Sequence, residues 1–138
     1  MPRTTYALSL KQPWATLLVH GHKWIEVRRW PTERRGRLLI HAAKVPDPRP
    51  EAWVRVTDEL KEATELRGGI IGSVEITGCL SYKSLDAFVA DRHLHLNDPS
   101  WFLPSGLFGF VMTSAKVLPF RPLLGNVRMF QVPAARSR

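Results

Sequence analysis

The order in which strand-like and helix-like segments follow one another constrains this chain most. Six stretches read as strands: YALSLK (6–11), KWIEVRRW (23–30), RLLIHAAK (37–44), GGIIGSVEITGCLSY (68–82), LFGFVMTSAKVL (107–118) and RMFQV (128–132). Helix patterns fall only after the first, third and fourth of them, over QPWATLLVHG (12–21), over about 50–66, and over LDAFVADRH (85–93). A doubly wound parallel sheet needs a helix after nearly every strand, so it does not fit. Neither a GxGxxG fingerprint nor a phosphate-binding P-loop occurs. The pattern therefore predicts an α+β fold: one small, mostly antiparallel β-barrel with about three peripheral helices. The domain is expected over 1–133, with AARSR (134–138) as a frayed tail.

Local chemistry supports each element. Pro13 suits a first helical position and Gly21 a helix stop, while Trp14, Leu17, Leu18 and Gly21 recur at the spacing of one inward face. In KWIEVRRW, strict alternation puts Trp24, Glu26 and Arg28 on one side and Ile25 and Val27 on the other. The proline-rich VPDPRP (45–50) reads as a loop feeding a helix over 50–66. Trp53, Val56 and Leu60 make its buried stripe, and Glu51, Asp58, Glu59 and Glu62 its solvent face. Farther on, Ile70, Gly72, Val74 and Ile76 share one side of a long strand, and Ser84 is placed to cap the third helix.

At 138 residues the chain buries a core without staples. Its apolar runs are too short to span a bilayer, and no membrane role is expected. It opens without an apolar leader and cleavage site, so secretion is not expected. Cys79, the sole cysteine, lies in the apolar stretch EITGCLSY and is expected to be a buried, inert thiol. One cysteine suits a reducing compartment, so the expected location is cytoplasmic.

Charge separates along the chain. Residues 1–50 carry ten Lys/Arg against three acids, 51–100 five against nine, and 101–138 five against none, within a net +8. One basic face opposite an acidic one would attract phosphate chains, whether RNA or DNA. Two His-x-His pairs, His20/His22 and His93/His95, lack the remaining ligands of a zinc site, and no metal or cofactor is expected.

SLKQPWATLLVHGHKWIEVRRW followed by RGRLLIHAAK resembles the signature of the ASCH (activating-signal-cointegrator homology) domain, a family within the PUA-like superfamily of small barrels. GSVEITGCLS resembles its central strand and LPFRPLLGNVRMFQV its closing pair, so the likeness runs over about 5–132. The resemblance implies a cleft between barrel and first helix, where PUA-like relatives bind RNA or modified bases. Onto this chain it carries Lys11, Gln12, Pro13 and Trp14 at the helix start. It also carries Lys23, Glu26 and Arg28 on the strand, Trp30 behind them and His41 on the next strand.

These residue types suit such a cleft. Lys and Arg hold phosphate, tryptophan stacks on an unpaired base, and a carboxylate accepts from an exocyclic amine. Arg34, Arg35 and Arg37 belong to a solvated turn equally usable for phosphate contacts. Plainer readings stand beside these: Trp14 as core, Glu26 and Arg28 as partners of each other, and His41 as a satisfied buried histidine.

The resemblance also reaches small bacterial amidohydrolases acting on acetylcytidine, whose catalytic set is a lysine, a threonine three residues later and a glutamate beyond. Lys23 matches that lysine, but the threonine position holds Glu26, and a carboxylate is a poor substitute for a hydroxyl nucleophile. Glu26 as general base with Lys23 at an oxyanion keeps a hydrolase or ribonuclease as the alternative. The expectation is a nucleic-acid-binding module rather than an enzyme. Protein partners in transcription or RNA metabolism are implied by the family's occurrence in coactivator assemblies.

Overall fold

The computed structural model describes residues 5–133; the expected tail, 134–138, lies outside them. Six strands form one mixed sheet: β1 (Thr5–Leu10), β2 (Ile25–Arg28), β3 (Gly36–Ala42), β4 (Gly69–Tyr82), β5 (Leu107–Pro122) and β6 (Met129–Val132). Their order is β2-β5-β4-β3-β1-β6, and the sheet curls into a half-barrel. β1 and β3 run parallel, with Ala7 opposite Leu39 and Leu10 opposite Ala42. The other four pairings are antiparallel. The predicted architecture is the observed one.

Curvature comes from the long β4–β5 pair, whose register shifts between Ile70 and Gly72, between Ser73 and Glu75, and between Ile76 and Gly78. Each irregularity bends the ribbon and strengthens its twist. The first also re-sorts side chains. Ile71 joins Val74 and Ile76 in the main core, whereas Ile70 packs with Ala7, Leu39 and Val132 on the outer face. Ile70 therefore does not share a side with Val74 and Ile76, as unbroken alternation predicted.

Among the described residues there are three α-helices: α1 (Trp14–Val19), α2 (Leu85–Ala90) and α3 (Arg92–His95). Six residues make no stable helix alone. All six of α1 are buried, so it fills the concave side of the sheet instead of offering one inward stripe. The helix comes close to β4 at Gly72, where an added Cβ would lie 2.4 Å from the Lys116 carbonyl oxygen and 2.6 Å from a Val19 methyl. The Ser84 hydroxyl accepts from the Ala87 amide at 3.1 Å, the cap expected for α2.

The helix expected over 50–66 is absent. The segment forms three separate 3-10 turns, Pro50–Trp53, Asp58–Leu60 and Ala63–Glu65. Only Ala52, Leu60 and Thr64 are buried there. The Trp53 indole donates to the Asp47 carbonyl at 2.8 Å, and the Gln12 amide donates to the Leu66 carbonyl at 3.0 Å. Tertiary bonds thus hold both ends of a segment that three prolines at 46, 48 and 50 already keep from entering smoothly as a helix. Cys79 is half-buried against the main core, less enclosed than its apolar neighbours suggested.

Candidate functional site

Where α1 meets the sheet a cleft of about 350 Å3 opens, lined from four separate parts of the chain. The end of β1 and the start of α1 supply Ser9, Lys11 and Trp14, β2 supplies Glu26, Val27 and Arg28, the proline-rich loop supplies Asp47 and Arg49, and the segment after α3 supplies Asn97 and Trp101.

Its β2 wall is an ionic chain. Glu26 accepts from Arg28 Nε at 2.9 Å through one carboxylate oxygen and faces Lys23 Nζ at 3.6 Å through the other. Arg28 Nη2 donates to the Ser9 carbonyl at 2.9 Å, which fixes the guanidinium across the strand ends. Lys23 stands behind this wall, its side chain 1% exposed. Its ammonium donates to the His95 carbonyl and to Asn97 Oδ1 (3.4 Å), and lies 4.8 Å over the Trp14 ring. Burial pushes this lysine down to about 8, with Glu26 opposing the shift.

The opposite wall is a stack. Asp47 accepts from the Trp14 indole at 2.9 Å and from Arg49 at 2.7 Å and 3.0 Å. Burial alone would raise its pKa, but the hydrogen bonds from Arg49 and Trp14 outweigh it and draw the carboxyl down to about 2. Held this way, the Arg49 guanidinium lies 3.6 Å over the Trp101 ring, and Trp101 meets Trp14 edge-on at 5.9 Å. A half-exposed planar cation on an aromatic face forms a platform for a flat ring.

The structure brings together five of the residues singled out from sequence: Lys11, Trp14, Glu26 and Arg28 line the cleft, and Lys23 supports it from behind. For these residues the plainer readings hold as well, since Glu26 and Arg28 pair with each other and Trp14 belongs to the core while one edge reaches the cleft. Gln12 is fully buried. Its amide donates to the Leu66 carbonyl and its oxygen accepts from the Thr16 amide, tying the 3-10 segment to α1. Trp24, grouped with Glu26 and Arg28 by alternation, precedes β2 and lines a separate 170 Å3 cavity with Leu18 and Met112.

The remaining residues lie elsewhere. Trp30 packs against Phe110 at 5.0 Å, with Arg128 over its ring. Arg34 stacks 3.5 Å over Tyr6, and Arg35 bonds the carbonyls of its own turn. Arg37 stands on the outer sheet face opposite Glu75. His41 is a satisfied buried histidine: Nδ1 faces the Ser9 hydroxyl at 2.9 Å and Nε2 the Leu123 carbonyl at 2.6 Å. Ser9, Asp47, Arg49, Asn97 and Trp101 went unmarked in the sequence. The one local signal was an aspartate and an arginine alternating with three prolines, a stiff segment able to present both side chains on one side.

A family model described as the ASCH domain matches residues 8–104. The chain is similar to activating signal cointegrator 1 of Homo sapiens, 35% identical over 106 residues that cover 71% of this chain and 18% of the human protein. It is similar to the Mus musculus protein of the same name, 38% identical over 86 residues, covering 56% of this chain and 15% of that one. The chain thus spans less than a fifth of the curated relatives it matches. Among solved structures it superposes on the ASCH protein of Zymomonas mobilis with a TM-score of 0.67 at 14% identity, covering 96% of this chain and 90% of that one. That likeness is one of fold.

Proposed function

The chain belongs to the ASCH domain family, a PUA-like fold, and on that premise we propose that it is a nucleic-acid-binding module whose cleft receives an unstacked base. The observation that carries this reading is the pair of facing walls. The Arg49 plane, fixed by Asp47 and Trp101, supplies a stacking surface, and stacking of a base is worth about 1–3 kcal/mol. Across from it, Glu26 accepts from an exocyclic amine, and Lys11 and Arg28 supply cations for the backbone. Glu26, Arg28 and Arg49 are positioned by protein contacts before any ligand arrives, which lowers the ordering cost of binding. The net +8 draws the polyanion toward the molecule.

Titration of RNA and DNA oligomers at several salt concentrations tests the reading. Binding that falls steeply with salt, leaves the strands intact and weakens on the order of tenfold in Arg49→Ala is expected. Absence of binding at low salt refutes it.

One observation favours a second reading, hydrolysis of a modified nucleoside. Lys23, pushed down to about 8 beside Glu26, is the kind of perturbed group that marks catalytic sites. Against it, the ammonium is enclosed behind Glu26 and already bonded to His95 and Asn97, and both Glu26 oxygens face cations. Turnover of acetylcytidine that Glu26→Gln abolishes would establish the hydrolase; no turnover leaves the binding module. For the assembly this domain serves, we propose a transcription- or RNA-linked complex, after the cointegrator name of its relatives.

A further inference from the structure

A second cleft, of about 490 Å3, adjoins the first and shares Ser9 and Ala43 with it as a common ridge. Its far wall is the β5–β6 connection, residues 123–127, where Leu124 and Val127 are 79% and 80% exposed. That wall is fastened at its base. The Leu123 amide donates to the Gly68 carbonyl at 3.1 Å, and the Leu123 carbonyl accepts from His41. Gly125 lies so close over His41 that an added Cβ would stand 2.7 Å from the ring. Two large apolar side chains are therefore held out over a cavity by a connection with its own anchors.

The ridge between the clefts is cationic. β1 and β3 are parallel with Leu10 opposite Ala42, so the chain leaves their neighbouring ends with Lys11 one position past Leu10 and Lys44 two past Ala42. Lys11 lines the first cleft and Lys44 the second, and both are exposed. The ridge residue Ser9 offers no competing donor. A carbonyl only accepts, so His41 Nε2 carries the proton toward Leu123, and in the neutral ring Nδ1 accepts and engages the Ser9 hydroxyl proton. An anion crossing the ridge is held by the two lysines.

We propose that the ligand is a single strand of at least two nucleotides, with one base in the first cleft, the linking phosphate between Lys11 and Lys44, and the next base against Leu124 and Val127. This rests on the base-binding reading of the first cleft and extends it. Each cleft takes an extruded ring between walls, which a paired base in a duplex cannot present. Apolar side chains cover a base face without reading its edge, so the second position tolerates any base.

Isothermal titration calorimetry with unlabelled mono-, di- and trinucleotides, and with a duplex of the same sequence, tests this. The dinucleotide is expected to bind on the order of five- to a hundredfold more tightly than the mononucleotide, as one added stacked base implies, with a much smaller step to the trinucleotide. The double variant Leu124→Asp, Val127→Asp changes only exposed side chains. It is expected to reduce the dinucleotide to mononucleotide affinity while leaving the mononucleotide unaffected. If the mononucleotide binds but length and variant make no difference, or if the duplex matches the strand, the second cleft has no such role. If no mononucleotide, dinucleotide or longer strand binds at low salt, the first-cleft reading fails and this one with it.

Discussion

Replacing Asp47 by asparagine tests whether the Arg49 platform is built by charge. The carboxyl is drawn from its ordinary 3.8 to about 2, and the side chain is 4% exposed. A difference of that size contributes about 2 kcal/mol of stability at neutral pH. Arg49 is half-exposed and screened by solvent, which reduces the expected value to roughly 1–2 kcal/mol. The folded-state value is depressed, so the contribution is present in full above about pH 5 and falls as pH drops through 4 toward 2. Linkage leaves about half of it at pH 3. Urea unfolding of the parent and Asp47→Asn at pH 7, 5 and 3 measures this. The gap between the proteins should be roughly 1–2 kcal/mol at pH 7 and 5 and about half that at pH 3. An equal gap at all three pH values would show that geometry, not ionisation, holds the stack, and a gap below about 0.5 kcal/mol at pH 7 would show that Asp47 does not hold it at all.

Lys23 reverses the sign: it releases its proton near pH 8 in the folded protein but at its ordinary 10.5 in the unfolded chain. Stability should therefore rise between pH 8 and 10, and Lys23→Met should flatten the rise in urea midpoint. Gly72→Ala drives a methyl into the Lys116 carbonyl and Val19, so a loss on the order of 3 kcal/mol or failure to fold is expected from denaturation curves. Among the described residues Thr16 Oγ1 is a buried hydroxyl without a partner. Thr16→Val should raise stability by about 1 kcal/mol, and a drop in melting temperature would reveal a bond at that hydroxyl.

The strands were legible because each is a run of apolar and β-branched residues bounded by turn residues, although burial along Ile25–Arg28 and Gly69–Tyr82 does not alternate strictly. Residues 50–66 misled because Trp53, Val56 and Leu60 carry a spacing that short 3-10 turns also satisfy, and contacts made by Gln12 and Asp47 chose between them. Half of the cleft was legible for a local reason: Lys11, Trp14, Lys23, Glu26 and Arg28 lie within eighteen consecutive positions. The other half arrives by tertiary placement. Trp101 stacks on an arginine 52 positions earlier in the chain, and no periodicity encodes that pairing. His41 illustrates a third case, since it lines the adjoining cleft and not the first. Resemblance put it near the cleft, but strand alternation turns it to the outer face beside Ser9.

The position of β1 between β3 and β6 has a consequence for biosynthesis. Its inner edge finds β3 soon after both emerge, but its outer edge waits for Met129–Val132. At ribosomal elongation rates the stretch from Ala42 to Met129 takes roughly 4–17 s to appear. Throughout that interval Thr5–Leu8 presents bare amides and carbonyls that any passing extended chain can pair with. A nascent chain halted before Met129 would keep that edge open for as long as it stalls, making it a target for chaperones and for other stalled copies of itself.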